Sequence, residues 1–284
     1  GDVDKLIDDL NSVERYIPSK WEWLDNCLGG GFLEAGKALY VFAGETNIGK
    51  SIFLGNIASN IAEEGKNVLL VTLEMSELLY ARRICSNVTK IPMKELAQNS
   101  ASIKHGMSNE DGKIFIKEFP PATITANQLK AFIKKFEEQG IKLDAIVLDY
   151  LNLMHSTVGN NSYERIKHVT EQVRAMSYLF NCPIISATQL NRAGFDTDNP
   201  DLATISESIG LAATADAIIS IFQNEEDRGI GVIRLGMMKN RYGPRGNTQA
   251  MRIDYSTLTI EQADDIEIGE DMDDTLNVLA GLAQ

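Results

Sequence analysis

Gly44-Glu45-Thr46-Asn47-Ile48-Gly49-Lys50-Ser51 is an uninterrupted G-x-x-x-x-G-K-[ST] run, and its chemistry is specific. Glycines let a chain turn successive N–H groups toward one centre, and a helix opening at the end of the run adds its positive pole. An ammonium at Lys50 would reach the β- and γ-phosphates as a point charge, and the Ser51 hydroxyl would ligate Mg²⁺. The run therefore predicts a site for ATP or another nucleoside triphosphate, with Mg²⁺ as cofactor.

Three further segments end in residues that suit such a site. Ala145-Ile-Val-Leu148-Asp149 is an apolar run closed by an acid about 100 residues after the phosphate loop. A carboxylate at the C-terminal end of a strand stands at the ligand-binding crevice, where it holds Mg²⁺. Val68-Leu-Leu-Val-Thr-Leu73-Glu74 ends in a second acid, placed to orient or deprotonate an attacking water. The other reading of Glu74 is a helix N-cap contact to Ser76–Leu79. Pro183-Ile-Ile-Ser-Ala-Thr188-Gln189 ends in an amide that can bond a γ-phosphate, or simply face solvent. Met238-Lys239-Asn240-Arg241-Tyr242-Gly243 puts two cations before a turn. They are solvated surface charges or, if they reach a neighbouring subunit, fingers that neutralise charge developing on its γ-phosphate.

The elements that must position these residues follow from periodicity. Apolar runs at Ala38–Ala43, Val68–Leu73, Ala145–Leu148, Pro183–Ala187 and Ala217–Phe222 lack polar alternation. Helical spacing fills Lys50–Glu64, Ser76–Val88, Asn127–Gln139 and Tyr163–Phe180. Such alternation predicts an α/β fold with a mostly parallel central sheet and helices on both faces. Gly231–Lys239 and Gln249–Asp254 flank Gly243-Pro244-Arg245-Gly246 and read as an antiparallel edge hairpin. At the start, Val3, Leu6, Ile7 and Leu10 give a short amphipathic helix, packed on its own domain or docked as an arm on a neighbour. The expected organisation is a linker helix and docking arm over 1–20, a motor domain over 21–260, and an acidic tail over 261–284.

Composition sets limits. The 284 residues carry 27 Lys+Arg and 40 Asp+Glu, a net charge of −13, with 44% hydrophobic residues, which suits a folded domain rather than a disordered chain. No stretch approaches the roughly 20 apolar residues of a membrane helix. Cys27, Cys85 and Cys182 lie far apart, without CxxC spacing. They are expected to be buried, reduced thiols of a cytoplasmic protein. The acidity argues against nucleic acid until it is located: eight of the thirteen excess negatives lie from Glu261 onward. That tail ends in Leu276, Val278, Leu279 and Leu282, a solubilising extension or a hook for a basic partner.

Together the segments GETNIGKS (44–51), VTLEMSE (71–77), IVLDYL (146–151), SATQLNR (186–192), DLATISESIGLAATAD (201–216) and MKNRYGPRG (238–246) resemble the RecA-like motor domain of the DnaB family of hexameric replicative helicases, most closely those of T-even-like phages. The resemblance covers Asp2 to about Ile260. It implies a RecA-like P-loop fold and an ATPase that translocates 5′→3′ on single-stranded DNA within a homo-oligomeric, hexameric ring. It implies that Lys50, Ser51 and Asp149 serve ATP and Mg²⁺, that Glu74 is the catalytic glutamate and Gln189 the γ-phosphate sensor. Lys239 and Arg241 become fingers for the adjacent subunit's nucleotide. Two channel loops map to about His155–Asn161 and Leu190–Ala203, giving Asn160, Asn161, Arg192 and Gly194 as DNA contacts. In that family an N-terminal domain engages primase, so primase, a helicase loader or a polymerase are the implied protein partners. A RecA-type recombinase and a non-motor regulatory ATPase share the fold; the K-x-R hairpin and linker helix favour the helicase.

Overall fold

Tyr16–Ile17 (β1) and Phe32–Leu33 (β2) pair antiparallel around a short helix, Glu22–Cys27 (α1). The computed structural model describes residues 14–108, 112–190, 209–245 and 248–263. The expected linker helix at 2–11 and the tail beyond 263 lie outside the described residues, as do Arg192, Gly194 and most of the second expected DNA loop. Residues 14–20, assigned from the sequence to the docking arm, are built into the body. Ile17 is fully buried, and the Trp21 indole N–H donates to the Ile260 carbonyl.

The main elements then alternate: β3 (Leu39–Gly44), α2 (Lys50–Glu63), β4 (Val68–Thr72), α3 (Glu77–Thr89), α4 (Ser100–Ser108), β5 (Ile114–Glu118), α5 (Ala126–Glu138), β6 (Ala145–Asp149), α6 (Ser162–Leu179), β7 (Ile184–Gln189), α7 (Ile209–Thr214), β8 (Ala217–Phe222), α8 (Glu225–Gly229), β9 (Val232–Asn240), β10 (Thr248–Asp254) and β11 (Thr259–Gln262). Nine strands form one sheet in the order β11-β10-β9-β8-β3-β7-β6-β4-β5. From β8 to β5 every pairing is parallel; β9, β10 and β11 run antiparallel at the other edge. The RecA-like, mostly parallel sheet is therefore present. The expected hairpin is β9–β10, but β11 pairs outside it. Thus Glu261 and Gln262, assigned to the tail, still belong to the sheet.

Period-two burial explains why the central strands are apolar throughout. Tyr40 and Phe42 of β3 point into one core layer with Phe53, Leu54, Ile57 and Ile61 of α2. Leu39, Val41 and Ala43 point into the other, with Leu129 and Ile133 of α5 and Val169, Val173 and Met176 of α6. A strand covered on both faces has no position where a polar side chain meets water, so alternation disappears. Buried Asn56 locks α2 to the antiparallel edge. Its amide donates to the Ile52 and Leu258 carbonyls at 2.8 Å each and accepts from Ile260 N–H and the Asn87 amide at 3.0 and 2.9 Å. Cys27 and Cys182 are buried free thiols as expected, whereas Cys85 is only partly buried. Among the described residues no helix is long and apolar enough to cross a membrane.

Candidate nucleotide site and interface hairpin

All parallel strands end on the same edge of the sheet, so the residues that close them converge. β3 turns into the phosphate loop, where Asn47 and Gly49 take φ of 65° and 101°, left-handed conformations that turn amides inward. Gly44 must be glycine for a different reason: a Cβ there would meet Ile48 Cγ2 at 2.8 Å and the Ile221 carbonyl at 3.0 Å. Lys50 opens α2 and is only 8% exposed. Its ammonium donates back to the carbonyls of Gly44 and Glu45, the position a β-phosphate would compete for. Burial lowers its pKa, opposed by the charges of Glu74, Asp149 and Glu45.

A cavity of about 220 Å³ is lined by Thr46, Asn47, Gly49, Lys50, Ser51, Glu74, Met75, Arg83 and Gln189, among others. The structure thus brings together the loop, the strand-end glutamate and the strand-end glutamine. Glu74 is held there by its own turn. Thr72 Oγ1 accepts from Met75 N–H at 3.0 Å and donates to the Met75 carbonyl at 2.9 Å. The N-cap of α3 is Ser76, whose hydroxyl accepts from Leu79 N–H. That contact leaves Glu74 without a capping task and open to the cavity.

Asp149 is fully buried at the end of β6. Its Oδ2 accepts from the Tyr80 hydroxyl at 3.0 Å, while its Oδ1 is buried without a hydrogen-bond partner. Burial raises its pKa despite the neighbouring Ser51 and Tyr80 hydroxyls. A buried carboxylate oxygen left unpaired is costly unless a cation completes it. A Mg²⁺ ion fits this donor set: a hard cation that takes one hydroxyl, one carboxylate and phosphate oxygens rather than a protein cage. Among the described residues no cluster of three or more His, Cys, Asp or Glu offers such a cage.

Gln189 joins two spaces. It lines the phosphate cavity and also a larger one of about 530 Å³ bounded by Tyr150–Ser156, Asn160, Asn161 and Arg165. Its amide donates to the Tyr150 hydroxyl at 3.2 Å. Around this larger cavity sits the first expected DNA loop. Asn161 caps α6 by accepting from Glu164 N–H at 2.8 Å, and Asn160 N–H donates to Glu164 Oε2 at 2.7 Å. Both asparagines therefore also shape the loop itself.

Lys239 and Arg241 lie elsewhere. Because β9 runs antiparallel to β8, Asn240 stands opposite Ala217, and Ala217 opposite Tyr40. That is near the start of β3, roughly 13 Å of strand below Gly44 of the phosphate loop at ~3.3 Å per residue. Lys239 donates to the carbonyls of Ala212 and Ala213 at 2.6 and 3.1 Å, at the end of α7. Its pKa is lowered by burial and by Arg241. Arg241 Nη1 bonds Asp216 Oδ1 at 2.8 Å. Tyr80, Tyr150, Arg83 and Asp216 were not read as site residues. The sequence offers two signals: Tyr150 and Asp216 stand in the segments 146–151 and 201–216 quoted above, and the i, i+3 spacing of Tyr80 and Arg83 after Glu74 puts both on one face of α3.

A family model described as DnaB-like helicase C-terminal domain matches residues 17–258. The chain belongs to the DnaB-like helicase C-terminal domain family. It is 26% identical over 244 residues to a DnaB-like replicative helicase of Enterobacteria phage T4, covering 81% of this chain and 51% of the relative. A probable replicative DNA helicase of Trieres chinensis is 29% identical over 233 residues, covering 74% of this chain and 50% of the relative. The chain thus spans about half the length of these DnaB-like relatives. Solved structures share the fold. One, described as an ATPase domain, superposes with a TM-score of 0.77 at 19% identity, covering 92% of this chain and 96% of that one. A DnaB-like replicative helicase studied with primase gives 0.78 at 18% identity, covering 93% and 68%.

Proposed function

We propose that this DnaB-like domain is the motor of a replicative DNA helicase, which hydrolyses ATP at subunit interfaces while moving along single-stranded DNA. The observation that carries the reading is the separation of two cationic groups. Lys50 sits in the phosphate loop, while Lys239 and Arg241 stand at the opposite end of the strands, out of reach of their own cavity. A second copy placed with its phosphate-loop edge against this hairpin completes the site.

In that site, the Ser51 hydroxyl and the unpaired Oδ1 of Asp149 would hold Mg²⁺, which when bound would neutralise charge on the phosphates. Lys50 leaves the loop carbonyls for the phosphates. Glu74 orients the attacking water and takes its proton. Gln189 bonds the γ-phosphate, and its placement between the two cavities lets loss of that phosphate be felt at the loop of His155–Asn161. Backbone and amide groups there, with Arg165, hold phosphodiesters without base contacts, which suits sequence-independent binding. Arg241, with Lys239, supplies positive charge to the neighbour. The same reading makes the assembly a homo-oligomeric ring, with a primase as one protein partner.

Subunit mixing tests it. Lys50→Ala subunits and Arg241→Ala subunits should each be inactive alone, because an arginine finger is worth ~10³–10⁵ in rate. Mixed on single-stranded DNA, they should regain hydrolysis at interfaces where an intact Arg241 meets an intact phosphate loop. Full activity of Arg241→Ala alone, or no recovery on mixing, refutes interfacial hydrolysis.

A further inference from the structure

We propose that Asp216 is the positioning residue for the Arg241 finger, an inference that rests on the interfacial reading above. Asp216 is 2% exposed and sits just before β8. Its Oδ2 accepts from Arg174 Nε at 2.8 Å and from Leu39 N–H, at the foot of the phosphate-loop strand, at 2.9 Å. Its Oδ1 accepts from Arg174 Nη2 at 2.9 Å and Arg241 Nη1 at 2.8 Å. Arg174 and the strand amide therefore fix the carboxylate, and Arg241 is the guest. Arg241 is also the more exposed of the two guanidinium groups, with 47% of its side chain accessible against 23% for Arg174.

The backbone around the finger is pinned as well. Arg241 N–H donates to the Asp216 carbonyl at 3.0 Å, the Asn240 amide donates to the Cys27 carbonyl at 2.7 Å, and the Tyr242 ring stacks on Tyr40. What remains free is the long side chain of Arg241, and Asp216 removes that freedom through a single N–H. Among the described residues this is the one side-chain hydrogen bond Arg241 makes. Its Nε and Nη2 donors are left for a phosphate across the interface, a bidentate fit suited to guanidinium. Because Arg174 keeps both carboxylate oxygens bonded, movement of Arg241 toward a phosphate leaves no buried charge unpaired.

The test uses Lys50→Ala subunits as finger donors and Arg241→Ala subunits as acceptors on single-stranded DNA, with native mass confirming equal assembly. Adding Asp216→Asn to the donor should cut kcat on the order of tenfold to hundredfold with KM for ATP unchanged, since a misplacement of about 1 Å costs that much. Donors with Arg174→Gln loosen one of the two anchors of the carboxylate but keep the Leu39 N–H bond and the Asp216–Arg241 pair, so they should lose several-fold less turnover than Asp216→Asn donors, even where their melting temperature falls. If Asp216→Asn donors fail to assemble, Asp216→Glu, which shifts the carboxylate by one methylene, replaces them with the same expected loss. Full turnover with Asp216 variants overturns the inference, as does an equal loss with Arg174→Gln, which would mark the cluster as structural. If donors lacking Arg241 altogether sustain turnover, the interfacial reading itself fails.

Discussion

Replacing Asp149 by Asn should make the nucleotide-free protein more stable and the enzyme inactive. Asp149 is fully buried, with Oδ2 bonded to Tyr80 and Oδ1 unpaired. An unsatisfied buried polar atom costs about 1–3 kcal/mol, more when charged. Asn is isosteric and keeps an oxygen for the Tyr80 hydroxyl; its amide nitrogen is as unpaired as Oδ1 but uncharged, so the cost of the buried charge is what disappears, and a gain of about 1–2 kcal/mol is expected. For a domain of this size that is roughly 2–8 °C in melting temperature.

The pH dependence fixes the cause. Burial raises the Asp149 pKa, so the folded state binds this proton more tightly than the unfolded chain does. The ionised form therefore weakens the fold above the folded-state pKa, and the penalty fades as pH falls through it. The advantage of Asp149→Asn should be full well above the raised pKa and shrink as pH falls through it. Adding Mg²⁺ and ATP should reverse the order. Ligand at a hundredfold excess over Kd stabilises wild type by about 2.7 kcal/mol, and the variant, lacking the metal carboxylate, should gain much less. Thermal melts across pH, with and without Mg²⁺ and ATP, supply both readings. A variant destabilised well above that pKa without ligand, or an advantage independent of pH, would refute the argument that an unpaired carboxylate awaits a cation here.

Two more outcomes follow from the same site. Tyr80→Phe removes the hydroxyl shared by Asp149 and the Ser51 carbonyl, and should cost about 1–2 kcal/mol at neutral pH; denaturant titrations at falling pH should show a smaller loss as Asp149, its pKa raised by burial, takes up its proton. Arg83→Ala removes a cation lining the phosphate cavity and should weaken ATP more than ADP, by about tenfold for a charge-assisted phosphate contact; equal effects on both nucleotides in equilibrium binding would place Arg83 away from the γ-phosphate.

The strands that carry chemistry were legible because each is apolar on both faces and ends in a functional residue. β8 fell at its expected residues, and β3, β4, β6 and β7 within a residue or two. β5 was not legible: Ile114-Phe-Ile-Lys-Glu is short, half-buried and at the sheet edge, where burial no longer forces an apolar run. β11 escaped for a similar reason, four residues whose outer half is polar at the start of an acidic stretch.

Local sequence determined the phosphate loop, since glycine spacing, lysine and serine act within eight consecutive residues. It also determined that Glu74, Asp149 and Gln189 close strands, and a parallel sheet necessarily gathers strand ends on one edge. Tertiary structure decided what register alone can decide. Strand order 8-3-7-6-4 puts Gln189 next to the phosphate loop and between two cavities. Antiparallel β9 sends Lys239 and Arg241 to the far edge, away from the phosphate loop of their own chain. Asp216 meets Arg174, Arg241 and Leu39 across separations of 42, 25 and 177 residues. No periodicity within one segment encodes such a meeting, because it depends on how separately stable elements are stacked rather than on the preferences of any of them.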